Sequence, residues 1–219
     1  MLGASGYAGR ELCSLLMAHP RFNLAFATAR EQRGETMGVG AHRVEFVDGD
    51  KVDLSSAALI FSALPHGASR EWVDRATAAG SRVVDLSADL RPGNGTHGIP
   101  YGLPEFDRTG IATAAVVANP GCYPTAILLA LAPLVRAGLV APGAQIVVNA
   151  SSGVTGAGNS PRRGVSSMSA GSIWSGTIPI WRSKSSRRGE AEASTSFCIA
   201  VQLRRCSTQI SVNRRRAVS

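Results

Sequence analysis

Residues 119–126, "NPGCYPTA", set a single thiol between a proline-glycine turn and a long apolar run. Pro120 and Gly121 end a strand candidate at Asn119, and a helix is expected from near Tyr123, so Cys122 stands at a helix amino terminus. Unpaired N–H groups and the macrodipole there favour a thiolate and can lower a cysteine below its ordinary value of about 8.5. The chemistry on offer is attack by sulfur on an activated carbonyl. Free cysteines are also common as small buried hydrophobes, and the residues alone leave both readings of Cys122 open. Cys13 lies beside Leu12 and Leu16 on an apolar helix side and reads as core packing. With Cys198 and Cys206 the four cysteines show neither metal-ligand spacing nor a disulfide framework, so no metal is expected.

A second constellation lies near the start of the chain. "GASGYAGRE" places Gly3, Gly6 and Gly9 just before a helical pattern, with Ser5, Tyr7 and Ala8 between them. Glycines at such a turn let backbone approach a pyrophosphate, and the helix start supplies N–H donors and a positive dipole end. A turn that merely begins a helix explains the same pattern. Thr28 and Arg30 in "ATAREQRG" follow the next strand, where a Rossmann fold reads the adenosine ribose. Arg30 suits a 2′-phosphate and so favours NADP over NAD; its plain alternative is an exposed loop arginine.

Short β-like runs alternate with helical stretches around these residues. Strands are expected at 24–29, 58–64, 81–87, 114–119 and 145–151. Helices are expected at 8–19, with Leu12, Leu15 and Leu16 on one face, and at 68–79, with Trp72, Val73 and Ala76. That grammar predicts an α/β fold with a Rossmann-type doubly wound parallel sheet. The glycine loop should follow a buried strand of about five or six residues, yet only Met1 and Leu2 precede Gly3, so the sheet is expected to lack its first strand.

The grammar stops near Pro161. The last 60 residues hold 14 serines and 10 arginines and show no helical or strand period. They carry 11 basic and two acidic side chains against 12 and 13 in the first 159, so the net charge of +8 belongs to the tail alone. A solvated, disordered tail is the plain reading of that charge, and no recognised nucleic-acid module accompanies it. The longest apolar stretch, about fifteen residues broken by Pro133 and Arg136, falls short of the roughly 20 needed to span a membrane. With no targeting segment, the expected compartment is the cytoplasm.

"VANPGCYPTAILLALAP" (117–133) resembles the active-site segment of the N-acetyl-gamma-glutamyl-phosphate reductases, NADP-dependent enzymes of arginine biosynthesis. "GASGYAGRE", "ALPHGAS" (63–69), "VVDLSADLR" (83–91), "YGLPEF" (101–106) and "NASSGVTGAG" (149–158) match the family in order, so the resemblance covers residues 1 to about 163. It implies that the Cys122 thiolate attacks the acyl phosphate of a small substrate and that NADPH reduces the resulting thioester. It places Pro65 and His66 beside the cofactor, although a loop histidine bonded to backbone fits the residues equally well. Ser152, Gly153 and Gly156 fall in a family loop that closes over cofactor and phosphate, against a plain glycine hinge. Ser87, Asp89 and Arg91 match a family segment and read as structural hydrogen-bonding residues.

The implied organisation is a cofactor domain at 1–121, then the catalytic helix and the start of an α+β substrate and dimerisation domain at 122–163. A low-complexity basic tail at 164–219 follows. The family is homo-oligomeric through that second domain and takes a general acid/base histidine from it. Here His19, His42, His66 and His97 all precede Cys122. The change after Arg163 predicts an out-of-frame continuation; the rival is a pseudoenzyme whose tail has its own role. Three further readings stand beside the reductase: a relative acting on a carrier-linked aminoadipyl or glutamyl phosphate, a non-catalytic NADP-binding remnant, and a nucleic-acid binder acting through the tail.

Overall fold

The computed structural model describes residues 1–39, 42–94, 96–140, 146–151, 172–174, 197–202 and 209–214. They fall into two units, Met1–Gly121 and Cys122–Ser219.

In the first unit β4 (Leu59–Ser62), β5 (Arg82–Asp85) and β6 (Val116–Ala118) run parallel side by side. Their cores are apolar because the helices of βαβ crossovers cover both faces of such a sheet. β1 (Ala27–Thr28) pairs in parallel with β3 (His42–Val47), which closes a hairpin with β2 (Thr36–Val39). Residues 1–4 lie between these halves. Leu2 N–H donates to Phe61 O and Leu2 O accepts from Ala63 N–H, both at 2.9 Å. On the other side Thr28 N–H donates to Met1 O and Ala4 N–H to Thr28 O, both at 2.8 Å. Residues 1–4 form no full strand ahead of the loop, in line with the expectation. The place of that strand is taken by a two-sided stub, with a single parallel bridge from Leu2 to Ser62. Counting the stub as strand one, the parallel order is that of a dinucleotide-binding fold, with its chain reversal between the stub and β4.

α1 (Tyr7–Met17) follows the stub, α2 (Ser69–Ala78) joins β4 to β5, and α3 (Pro104–Thr113) precedes β6. α1 buries Gly9, Cys13 and Leu16, four and three residues apart, so its inner face differs from the expected leucine face: Leu15 points to solvent. Phe46, Ile60 and Val83 are fully buried, each contributing about 1.5–3 kcal/mol through loss of apolar surface.

In the second unit α4 (Cys122–Arg136) packs Ala126 and Leu131 against Val148 of β7 (Ile146–Ser151), with Tyr123, Ile127, Ala130 and Ile146 around them. The tail was expected to lack regular structure. Three of its segments, β8 (Ser172–Trp174), β9 (Phe197–Gln202) and β10 (Gln209–Arg214), pair with β7. The rest of the tail lies outside the described residues.

Candidate active site

The glycine loop passes against the end of β4. Gly3 has φ +70°, and a Cβ there would stand 2.7 Å from Ala63 O, so only glycine fits. A Cβ on Gly9 would strike Gly3 O and come within 2.8 Å of Ala4 Cα, so this glycine lets α1 sit on the loop. Arg10 braces the turn by donating from Nε to Ser5 O at 2.9 Å. Gly6 is different. It is the N-cap of α1 in extended geometry, and a Cβ there would meet only Gly3 O, at 3.8 Å. Gly6 brings no side-chain cap, so the first-turn N–H groups of Tyr7, Ala8 and Gly9 are left for an incoming acceptor. Tyr7 and Ala8 are exposed beside it. A loop whose middle glycine the fold itself does not require, at an uncapped helix start, fits a pyrophosphate.

Thr28 is buried at the end of β1, and its Oγ1 accepts the Gly3 N–H at 3.3 Å, so it supports the loop from within. Arg30 is exposed two residues further on. Pro65 and His66 are exposed just past β4, and His66 Nδ1 accepts the Ala88 N–H at 2.8 Å. With Nδ1 an acceptor, the neutral ring carries its proton on Nε2. Ser152, Gly153 and Gly156 lie outside the described residues.

Three buried groups that the sequence reading passed over knit the carboxyl ends of β4 and β5. Asp85 is fully buried and accepts Ser69 Oγ–H at 2.5 Å, Ser87 Oγ–H at 2.6 Å and Ser87 N–H at 3.2 Å. Ser69 Oγ meets Ser62 Oγ at 2.6 Å, and Ser87 Oγ accepts the Asp89 N–H at 3.0 Å. The Asp89 carboxylate then accepts Gly67 N–H at 2.7 Å and Ser69 N–H at 3.0 Å, at the start of α2. Burial alone would raise Asp89. Hydrogen bonds from the Gly67, Ser69 and Arg70 N–H groups, with His66 nearby, outweigh it and hold the carboxyl below its ordinary value. Only the fold could reveal this cluster, because Ser62, Ser69 and Asp85 come from three different elements.

The same edge holds the turn before the thiol. Asn119 N–H donates to Asp85 O at 2.7 Å, and Arg91 Nε donates to Asn119 O at 3.0 Å. The Gly121 N–H bonds to the Tyr101 hydroxyl; burial pushes that phenol up, partly offset by Arg91 and by this bond. Cys122 is the first residue of α4 and is half-buried. Cys13, by contrast, is fully buried in the core, and burial pushes its thiol up.

A cavity of about 380 Å³ is lined by Met17, Phe22, Phe26, Arg43, Glu45 and Val47, none of them a residue of the glycine loop or of the Asp85 cluster. Among the described residues no three His, Cys, Asp or Glu side chains gather as metal ligands, and no helix is long and apolar enough to cross a membrane.

Residues 1–114 match the family model described as "Semialdehyde dehydrogenase, NAD binding domain", and residues 122–172 match "Semialdehyde dehydrogenase, dimerisation domain". The N-acetyl-gamma-glutamyl-phosphate reductase of Marinobacter nauticus is 38% identical over 187 residues, 75% of this chain and 54% of that protein. The enzyme of the same name from Salinispora arenicola is 44% identical over 181 residues, 74% and 54% of the two chains. The chain thus spans about half the length of the curated relatives it matches. Among solved structures, aspartate semialdehyde dehydrogenase II of Vibrio cholerae matches with a TM-score of 0.61 and 26% identity, over 72% of this chain and 47% of that one.

Proposed function

The chain belongs to the semialdehyde dehydrogenase family, and from that premise we propose that it is an NADP-dependent acyl-phosphate reductase acting on N-acetyl-glutamyl phosphate. The observation that carries this reading is Cys122 as the first residue of α4, after a Pro-Gly turn held at the carboxyl edge of the sheet by Asp85, Arg91 and Tyr101.

Cys122 Sγ, entering as the thiolate, forms a bond to the acyl carbon. The carbon–oxygen bond to phosphate breaks, and inorganic phosphate leaves with the electron pair. With Pro124 lacking an N–H, the Cys122 and Tyr123 N–H groups at the start of α4 would serve as donors to the developing oxyanion. Gly3, Ser5, Gly6, Tyr7, Ala8 and Gly9 hold the pyrophosphate, Arg30 meets the 2′-phosphate, and Pro65 and His66 border the cofactor. NADPH held there would supply a hydride to the acyl carbon; the carbon–sulfur bond would then break, returning the Cys122 thiolate and releasing the semialdehyde. Thr28 acts on the cofactor through the loop it supports. Ser152, Gly153 and Gly156 close over the cofactor in this reading. The cofactor domain is residues 1–121, the catalytic segment 122–163 and the tail 164–219. The chain acts in the cytoplasm in this reading, and the family's homo-oligomer is not carried over to it.

The test is phosphate-dependent reduction of NADP⁺ by the full chain given N-acetyl-glutamate semialdehyde, followed at the nicotinamide absorbance. Turnover that disappears in Cys122→Ser supports the enzyme. NADP⁺ binding without turnover identifies a non-catalytic nucleotide-binding chain instead, and turnover only with a carrier-linked acyl phosphate moves the substrate to that class.

A further inference from the structure

We propose that Asp85 is a positioning residue for the cofactor, acting through His66. The proposal rests on the assignment of His66 to the cofactor side. Asp85 touches no exposed surface and lies at the end of β5 with three hydrogen-bond donors converging on its carboxylate. The donor directions are fixed by counting protons. Ser69 has one hydroxyl proton and gives it to Asp85, so Ser62 must donate to Ser69. Ser87 gives its proton to Asp85 and accepts from the Asp89 backbone. Every link therefore points toward Asp85, an arrangement that suits a group with acceptors only.

The cluster does more than satisfy a buried carboxylate. Ser69 opens α2, just past the His66 loop, while Ser87 precedes Ala88, whose N–H holds His66 Nδ1. Asp85 thus clamps both sides of the contact that selects the His66 tautomer. Asp89 adds a second clamp across the same two loops, from Gly67 and Ser69. The result is one Nε2–H donor in a fixed direction at the carboxyl edge of the sheet, where folds of this order take their ligands. Glycine at position 67, with φ +86°, lets the chain turn back to α2 straight after the histidine.

Asp85→Asn sets an amide NH₂ against a hydroxyl that already donates, leaving a buried proton without an acceptor. The loops must then shift, and the Ala88–His66 bond loosens. Histidine labelled with ¹⁵N in the full chain, with His66 assigned by His66→Ala, should show a single Nε2–H tautomer in the wild type and an averaged pair in Asp85→Asn. The NADP⁺ affinity, read by calorimetry, should fall about tenfold in Asp85→Asn and about as much in His66→Ala. Adding Asp85→Asn to His66→Ala should change it by no more than about twofold, because the two act as one unit. An unchanged tautomer in Asp85→Asn, or a full second tenfold loss in the double variant, overturns the proposal. Wild type that shows the Nε2–H tautomer but binds no NADP⁺ overturns the cofactor reading and with it the proposed role, while the tautomer shift alone still reports the clamp. Ser87→Ala, which removes one of the three donors, replaces Asp85→Asn if that variant does not fold.

Discussion

Replacing Gly3 by alanine and Gly6 by serine should separate folding from ligand binding within one loop. At Gly3 the left-handed backbone costs a side chain about 1–2 kcal/mol. The new Cβ would also stand 2.7 Å from Ala63 O and 2.9 Å from Ala63 C, backbone atoms that cannot swing aside. Overpacking of that kind adds about 1–3 kcal/mol. The combined loss of about 2–5 kcal/mol lowers the melting temperature by roughly 8–20 °C, at about 4 °C per kcal/mol for a unit of this size. Gly6 has φ −70° and ψ 165°, which any residue adopts, and open contact at 3.8 Å. Serine is a better N-cap than glycine by a few tenths of a kcal/mol, about 0.3, so Gly6→Ser should melt at or slightly above the wild-type temperature. Its hydroxyl would take a first-turn N–H and its Cβ would fill the approach to the helix start. The NADP⁺ affinity should therefore fall by about tenfold or more. Circular-dichroism melts and calorimetric titrations on the same preparations decide the matter. A Gly6→Ser protein that binds NADP⁺ like the wild type, or melts as early as Gly3→Ala, refutes the assignment of Gly6 to the anion-facing side.

Site-resolved mass spectrometry after brief iodoacetamide treatment at neutral pH should find Cys122 modified at least about tenfold faster than Cys13, whose burial and raised pKa both oppose reaction. Equal rates would remove the distinction. Arg30→Glu should weaken NADP⁺ binding about tenfold or more and leave NAD⁺ binding within about twofold, since only the former carries the 2′-phosphate. Equal losses for both nucleotides would take Arg30 out of the site. Asp89 is held below its ordinary value in the folded chain, so the stability it adds is complete above about pH 4 and disappears as pH falls through the lowered value. Denaturant melts between pH 7 and 3 should show Asp89→Asn less stable at neutral pH and flatter toward acid. Parallel curves for the two proteins would contradict the assignment.

The parallel centre of the sheet was legible because β4, β5 and β6 are short apolar runs bounded by turn residues, the pattern of strands covered on both faces. β1 was legible only in part. Of the run from 24 to 29, Ala27 and Thr28 alone pair as a strand, while Phe26 O binds the Met1 amino group. The β2–β3 hairpin went unread, although Val44 and Phe46 are buried and alternate with exposed Arg43 and Glu45. Gly38, inside β2, interrupts the period of that strand. α3 had a start signal in Pro104 at its first position, but it buries no residue, so no apolar stripe marks its length. The helix start at Cys122 was readable from Pro120 and Gly121, whereas the different duties of Gly3, Gly6 and Gly9 were not. Those duties depend on which backbone atoms stand opposite, and Ala63 lies some sixty residues away in the chain. The Asp85 cluster was unreadable for the same reason, since its serines are unremarkable one by one.

The stub formed by residues 1–4 acts as the spine of a book whose two pages are the β1–β3 half and the β4–β6 half of the sheet. Among the described residues no other strand pairing binds the pages together. Native-state hydrogen exchange should therefore find the amides of Leu2, Ala4, Thr28 and Ala63 opening in one event with a shared free energy. A fusion partner that drew the first residues outward would unbind the pages before any helix melted.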